Sequence, residues 1–407
     1  MFIHKLIKNK RFILFILLLL FSIYSSYQIF ITAGHFNNDN SLTLLSKAFL
    51  TKHIALPINS ELPLGDISDY YHNFYLYFGP LPSIILMPFI LVFGKTFPQG
   101  VIGIASLILS FFVTFKISRH FKFDITDSLW LSMFFVFSTV MLASSLINIT
   151  AYQVEVMTVP IMLFAIYEYL TKKRFLLIGL LIGLAVFTRI FLLISVMFFV
   201  AEFLQKRITK KQLILLLIPV IFFTSFYGLY NQRRFHSFFE TGINYSVGLK
   251  TFPLDSNLQY GMFSFVHIPA NFYSLFIMPP EPLLQNNNGF TLKFPYLKVN
   301  PWGLSIWYTS PLLLVLFLKF KKNKYIFSIA ITIIFLLIPL LMFYSIGFAQ
   351  YGYRYVLDFL PFLFILLISI LNSKLSKSEI SLIIIGVLFN AIYITSLWGK
   401  YPLFGIN

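Results

Sequence analysis

The sequence predicts an all-α, polytopic membrane protein, and three observations carry that expectation. Hydrophobic residues make up 58% of the 407-residue chain and charged residues only 11%, with a mean hydropathy of +0.83. A soluble domain has no core large enough to hide so much apolar surface. Several apolar runs approach or exceed the roughly 20 residues that a spanning helix needs. Short basic clusters recur between those runs, as cytoplasmic juxtamembrane loops do.

The clusters are Lys5/Lys8/Lys10/Arg11, Lys116/Arg119/Lys122, Lys172/Lys173/Arg174, Lys206/Arg207/Lys210/Lys211, Lys319/Lys321/Lys322/Lys324 and Lys374/Lys377, and they hold 20 of the 31 Lys and Arg. Because the formal charge of +17 is spread this way, it does not mark a nucleic-acid surface. The absence of Cys excludes disulfides, thiol nucleophiles and thiolate metal sites. No Gly-rich P-loop and no GxGxxG occurs, so no nucleotide site is expected.

With all six clusters on the cytoplasmic side, the spans fall at about 12–33, 98–117, 126–147, 151–170, 175–188, 190–204, 211–230, 303–318, 325–346, 355–372 and 378–397. That makes about 11 transmembrane helices, with the N-terminus inside and the C-terminus outside. The first run has no small-residue cleavage site after a short apolar core and reads as a retained span. The run Pro80 to Gly94 is short and contains Pro88, so it reads as an interfacial helix on the outer face. The run Phe175 to Leu204 is broken near Thr188-Arg189, which puts Arg189 at a tight outer turn. Three units follow: 1–230, a membrane module with a first outer loop at 34–97; 231–302, an outer-face cap with short helices; and 303–407, the C-terminal membrane helices. The Lys/Asn/Ile/Phe bias reads as bacterial, which makes the location the cytoplasmic (inner) membrane.

The irregular sequence collects on the outer face, so any chemistry belongs there. A carboxylate at the mouth of a membrane bundle is costly, and Asp39 follows the first span directly. Asp39 also fits the N-cap of a helix starting near Ser41. Asp66 and Asp69 read as a polar turn, with a sugar or acceptor contact as the functional alternative. Glu155 falls near the outer start of the span 151–170, where it is a further candidate sugar or acceptor contact, with pairing to Arg189 or a hydrogen bond within the bundle as the plain alternative. Without a nucleotide site, an outer-face enzyme needs a donor that is not a soluble nucleotide, and a lipid-linked donor fits.

Several segments together resemble the GT-C superfamily of membrane glycosyltransferases. Asp39, the amphipathic stretch behind it, and Tyr75-Leu76-Tyr77-Phe78-Gly79-Pro80-Leu81-Pro82 are similar to the first outer loop of that superfamily. The segment from Leu180 to Arg189 is similar to one in the protein mannosyltransferase and aminoarabinose transferase branch. Tyr230 to Phe235, Pro301 to Pro311, and Tyr353 to Pro361 resemble segments of its uncharacterised bacterial relatives. The resemblance covers roughly residues 12–372. Asn40 follows Asp39 where the mannosyltransferases carry an Asp-Glu pair, and Phe78-Gly79-Pro80 stands in place of their His-Pro-Pro.

The resemblance implies a polyprenyl-phosphate sugar as donor, its tail in the bilayer and its phosphate at the outer surface. The acceptor is then a glycan, a lipid or a protein. Asp39 becomes the general base that takes the acceptor proton. The departing phosphate calls for arginines, whose planar fork grips two oxygens. Arg354, Arg189, Arg233 and Arg234 are the candidates, with interfacial snorkelling as the plain alternative for Arg354. No cofactor is expected. The alternative is Mg²⁺ or Mn²⁺ held by Glu155 and a second carboxylate. Two rival functions remain. An O-antigen ligase or polymerase would place its key residues in the late loop, and a lipid or polysaccharide flippase or transporter would carry charges at mid-membrane.

Overall fold

The computed structural model describes residues 10–36, 39–57, 66–94, 97–250, 254–285, 289, 291–319 and 323–406. Asn37 and Asn38 of the first loop lie outside the described residues, as do Lys5, Lys8, Lys321 and Lys322 of the basic clusters.

The chain is mostly helical. The first half contains α1 (Lys10–Thr32), α2 (Ser41–Leu50), α3 (Leu81–Phe93), α4 (Val101–His120), α5 (Ile125–Phe137), α6 (Met141–Leu146), α7 (Thr150–Leu170), α8 (Phe175–Thr188), α9 (Met197–Leu204) and α10 (Lys210–Phe235). After it come α11 (Leu254–Leu258), α12 (Ile268–Phe276), α13 (Ile306–Thr309), α14 (Val315–Leu318), α15 (Ile326–Met342), α16 (Leu360–Ile370) and α17 (Lys377–Tyr393). Local chemistry sets the starts of the polar-ended helices. Thr209 with Gln212, and Ser376 with Glu379, form capping boxes for α10 and α17.

Five helices among the described residues are long and apolar enough to cross a membrane: Lys10–Thr32, Val101–His120, Thr150–Leu170, Lys210–Phe235 and Lys377–Trp398. The expected eleven are not present as unbroken spans, and the reason is local. Hydropathy averages over breaks that backbone chemistry enforces. The expected span 126–147 is interrupted between α5 and α6 at Ser138–Val140. The expected span 303–318 becomes α13, a 3₁₀ turn at Pro311–Leu314 and α14. The expected span 355–372 opens as a 3₁₀ turn, Arg354–Asp358, before Pro361 starts α16. The break expected at Thr188-Arg189 is present: Arg189 is extended, and a 3₁₀ segment, Ile190–Val196, leads into α9.

α7 is the axis of the bundle. Of its apolar window 83% is buried, against 28% for α1 and for α10. The open faces of those outer helices carry Leu17, Leu20 and Ile23 on α1, and Ile218, Ile221 and Phe222 on α10. Stripes like these suit hydrocarbon rather than water. α3 exists as expected and packs on α2, where Ser46 Oγ donates to Ser83 O at 2.7 Å.

Two small hairpins interrupt the helices. β1 (Ile67–Tyr70) pairs antiparallel with β2 (Asn73–Leu76), Ile67 opposite Leu76 and Tyr70 opposite Asn73. Tyr71 and His72 close it with φ of 50° and 60°, the tight two-residue turn that matches strand twist. β3 (Glu281–Leu284) pairs with β4 (Leu292–Lys298). The segment around α12 is stitched to the end of α15. Ser264 N donates to Met342 O and Tyr344 N to Met262 O, both at 2.9 Å. Asn271 Nδ2 reaches Phe343 O at 2.8 Å, and Asn271 Oδ1 accepts from Tyr353 Oη at 2.9 Å.

Candidate active site: acids and arginines along one helix

Ile149, which precedes α7, has no side chain that can cap a helix. Two carboxylates from the first loop take that role. Asp39 Oδ2 accepts from Thr150 N at 2.6 Å, and Asp39 Oδ1 accepts from Thr150 Oγ1 at 2.7 Å. Asp66 Oδ2 accepts from Ala151 N at 3.2 Å. The positive end of a helix dipole favours negative charge there.

The two acids differ in what else they hold. Asp39 Oδ1 also accepts from Ser41 N at 3.2 Å and Ser41 Oγ at 3.1 Å, so Asp39 caps α2 and α7 together. Asp66 Oδ1 accepts from Tyr77 Oη at 2.7 Å. Part of the Asp66 surface stays open, yet its surroundings strip most of its water. Burial raises its carboxyl pKa from the ordinary Asp value, and the Asp39 charge adds to the rise. The Tyr77 hydrogen bond, Arg354 and the Ala151 N–H oppose that rise without cancelling it. Burial and the Asp66 charge also push the Tyr77 phenol up, so it stays a donor.

Further along α7, Glu155 meets two arginines. Arg189 NH1 lies 2.9 Å from Glu155 Oε1, and Arg189 Nε lies 2.8 Å from Asp358 Oδ1. Arg354 NH1 lies 3.7 Å from Glu155 Oε1. All four side chains are buried or nearly so, Arg354 being the most open at 14%. Aromatic faces complete the enclosure. The Arg354 guanidinium stands 5.1 Å from the ring centres of both Tyr152 and Tyr355, and Arg189 stands 5.6 Å from Tyr355 on its own side. Glu155 Oε2 and Arg354 Nε are buried and make no hydrogen bond among the described residues. A buried ion with an unused polar atom is costly and has capacity for a further partner.

Beside this cluster lies a cavity of about 110 Å³, lined by Tyr77, Glu155, Arg189, Tyr227, Arg354 and Tyr355 among others. Gly79 fixes one edge of it. Its N–H donates to Thr188 O at 3.1 Å, and a Cβ at position 79 would sit 2.1 Å from Phe187 O. Only glycine allows the first loop to lie this close to the end of α8.

The expected site residues therefore divide. Glu155, Arg189 and Arg354 come together at the cavity. Asp39 and Asp66 sit together at the head of α7, and neither lines the cavity; Tyr77 links Asp66 to it. Asp69 accepts from His72 N at 3.1 Å and serves the hairpin turn. Arg233 is exposed on α10. Arg234 is buried against the Tyr230 ring, 4.0 Å from its centre, and donates to Leu76 O and to Asn231 Oδ1. That role clamps the hairpin to α10 and leaves the cavity to the other two arginines. Arg189 sits at the expected break, between α8 and the 3₁₀ segment, and is buried there between two acids. Asp358 is a partner the sequence reading missed. Its signal was an acid four residues after Arg354 inside an apolar run, a spacing that seldom occurs there without a partner.

Among the described residues no group of three or more His, Asp or Glu side chains converges as a metal site would. The oxygens of Asp39 and Asp66 are taken by N–H and O–H donors, and Glu155 faces arginines. No family model, no curated protein and no solved structure matches the chain.

Proposed function

We propose that the protein is a GT-C-like glycosyltransferase of the bacterial inner membrane, moving a sugar from a polyprenyl-phosphate donor to an acceptor on the outer face. The observation that carries this reading is the cavity beside Arg189 and Arg354, with an acid pair one helix turn away at the head of α7. The Arg354 fork, its Nε free of hydrogen bonds among the described residues, takes an oxygen of the donor phosphate, and Arg189 supplies the second positive charge. Tyr355 and Tyr152 hold the guanidinium planes in place.

The acceptor hydroxyl oxygen bonds to the anomeric carbon, and the bond from that carbon to the phosphate oxygen breaks. The phosphate leaves with the electron pair. The hydroxyl proton goes to Asp66, whose pKa burial raises from its ordinary value and which reaches the cavity through Tyr77. Asp39, with all its bonds committed to capping, positions Asp66. Membrane lipids surround the bundle, the donor enters from them, and no nucleic acid takes part.

A deletion strain tests this reading. Mass spectrometry of its envelope should find an accumulated polyprenyl-phosphate sugar and a missing decoration. Asp66→Asn should fail to restore the decoration, with a loss on the order of 10²–10⁴ in rate. Near-native rescue by Asp66→Asn together with failure of Asp39→Asn would return the base to Asp39.

The four buried charges also favour a second reading, a flippase for a lipid-linked glycan. In liposomes a flippase moves the donor unchanged, whereas a transferase consumes it only when an acceptor is present.

A further inference from the structure

The head of α7 carries acids; its other end carries bases. Glu155 and Glu168 are separated along α7 by about 20 Å at ~1.5 Å per residue. At the Glu168 end, α4, α7 and α8 leave a groove of about 430 Å³. Phe164, Leu177 and Leu181 give it an apolar lining, and Lys116, Lys172, Glu168 and Arg174 give it a charged one.

Glu168 and Arg174 satisfy each other through two 2.8 Å bonds, Nε to Oε1 and NH2 to Oε2. Lys116 and Lys172 form no salt bridge among the described residues. The groove therefore offers two ammonium groups that make no salt bridge among the described residues; with Arg174 they outnumber its single carboxylate, Glu168, beside an apolar wall. The same stretch of α8 presents Leu176 and Leu180 outward, 55% and 39% exposed, so hydrocarbon lies beside the groove.

We propose that this groove binds one anionic glycerophospholipid. Its phosphodiester is taken by Lys116 and Lys172, and its acyl chains lie on Phe164, Leu177 and Leu181. Basic pockets between membrane helices recognise such headgroups by charge, and the apolar wall selects a lipid over a free anion. The site is separate from the cavity at the other end of α7 and does not depend on the reaction assigned there.

Native mass spectrometry of the purified full chain tests it, with phosphatidylglycerol and phosphatidylcholine of matched acyl chains as probes. Phosphatidylglycerol should stay bound after phosphatidylcholine is lost. The double variant Lys116→Gln/Lys172→Gln should hold phosphatidylglycerol about 30-fold more weakly, the effect of removing two basic residues beside an anionic lipid. Both lysines are exposed, so the fold should survive, and an unchanged unfolding temperature checks this. Lys210→Gln/Lys211→Gln, the same charge change at the start of α10, should leave retention within about threefold. Equal retention of phosphatidylcholine, full retention by the groove variant, or an equal loss in the α10 variant would each overturn the proposal. So would stripping of the lipid by millimolar inorganic phosphate, because the apolar wall would then contribute nothing.

Discussion

Asp39 and Asp66 share one helix end, and their charges act on each other. On the proposed reaction Asp66 must stay ionised to accept the proton, so transfer should be lost as the pH drops through the Asp66 pKa. That pKa is raised, so the acid limb of the rate profile should lie above the ordinary Asp value of about 3.9. The Asp39 charge is one cause of the rise. Asp39→Asn should therefore move the acid limb to lower pH while leaving the plateau rate within a few-fold. A pH–rate profile of the two proteins reads this directly, and an unmoved limb would uncouple the pair. Arg354 allows a second test at this scale. Arg354→Lys keeps the charge and loses the fork and the stacking on Tyr152 and Tyr355. It should raise the donor concentration needed for half-maximal rate. Arg354→Ala leaves Glu155 with Arg189 as its remaining cation and should also lower the amount of folded protein. Specific activity per folded molecule separates the two effects, and a fully active Arg354→Lys would remove Arg354 from the site. The sequence made Glu155, Arg189 and Arg354 legible because ions inside apolar runs are rare. It could not tell Asp39 from Asp66, because what separates them is a set of bonds to Ser41, Thr150 and Tyr77 across long stretches of chain.

The element that sets the geometry is the close approach of Gly79 to α8. A methyl group there meets the Phe187 carbonyl, so Gly79→Ala must push the first loop away from Arg189. Overpacking of this kind costs about 1–3 kcal/mol. We expect a lower unfolding temperature in detergent and a larger drop in specific activity, because the displaced edge belongs to the cavity. A variant with native stability and native activity would show that the loop has slack. Two elements were readable from sequence: the break near Thr188-Arg189 and the short helix within Pro80 to Gly94. The hairpin Ile67–Leu76 was not, since Tyr71 and His72 are unusual in a turn that needs positive φ. The 3₁₀ segments at Pro311 and Arg354 were hidden inside runs whose average hydropathy is that of a span.

At the scale of the molecule, α7 is one of five long apolar helices among the described residues, and shorter, broken ones pack alongside them. Membrane character was legible in composition; the number of crossings was not, because apolar runs of 10–17 residues can be buried by protein as well as by lipid. Reporter fusions should find Lys122, Arg174, Lys211 and Lys377 on the cytoplasmic side, and points within 231–302 on the other. A cytoplasmic reporter in 231–302 would break the arrangement. The ion cluster at the cavity also bears on how the protein is made. Glu155 and Arg189 belong to the first half of the chain, Arg354 and Asp358 to the last part. Each portion brings one acid and one base, so the growing polypeptide delivers its ions to the translocon in neutral sets. Helices α7 and α8 can wait in the bilayer with their own charges matched until the later pair arrives and locks them.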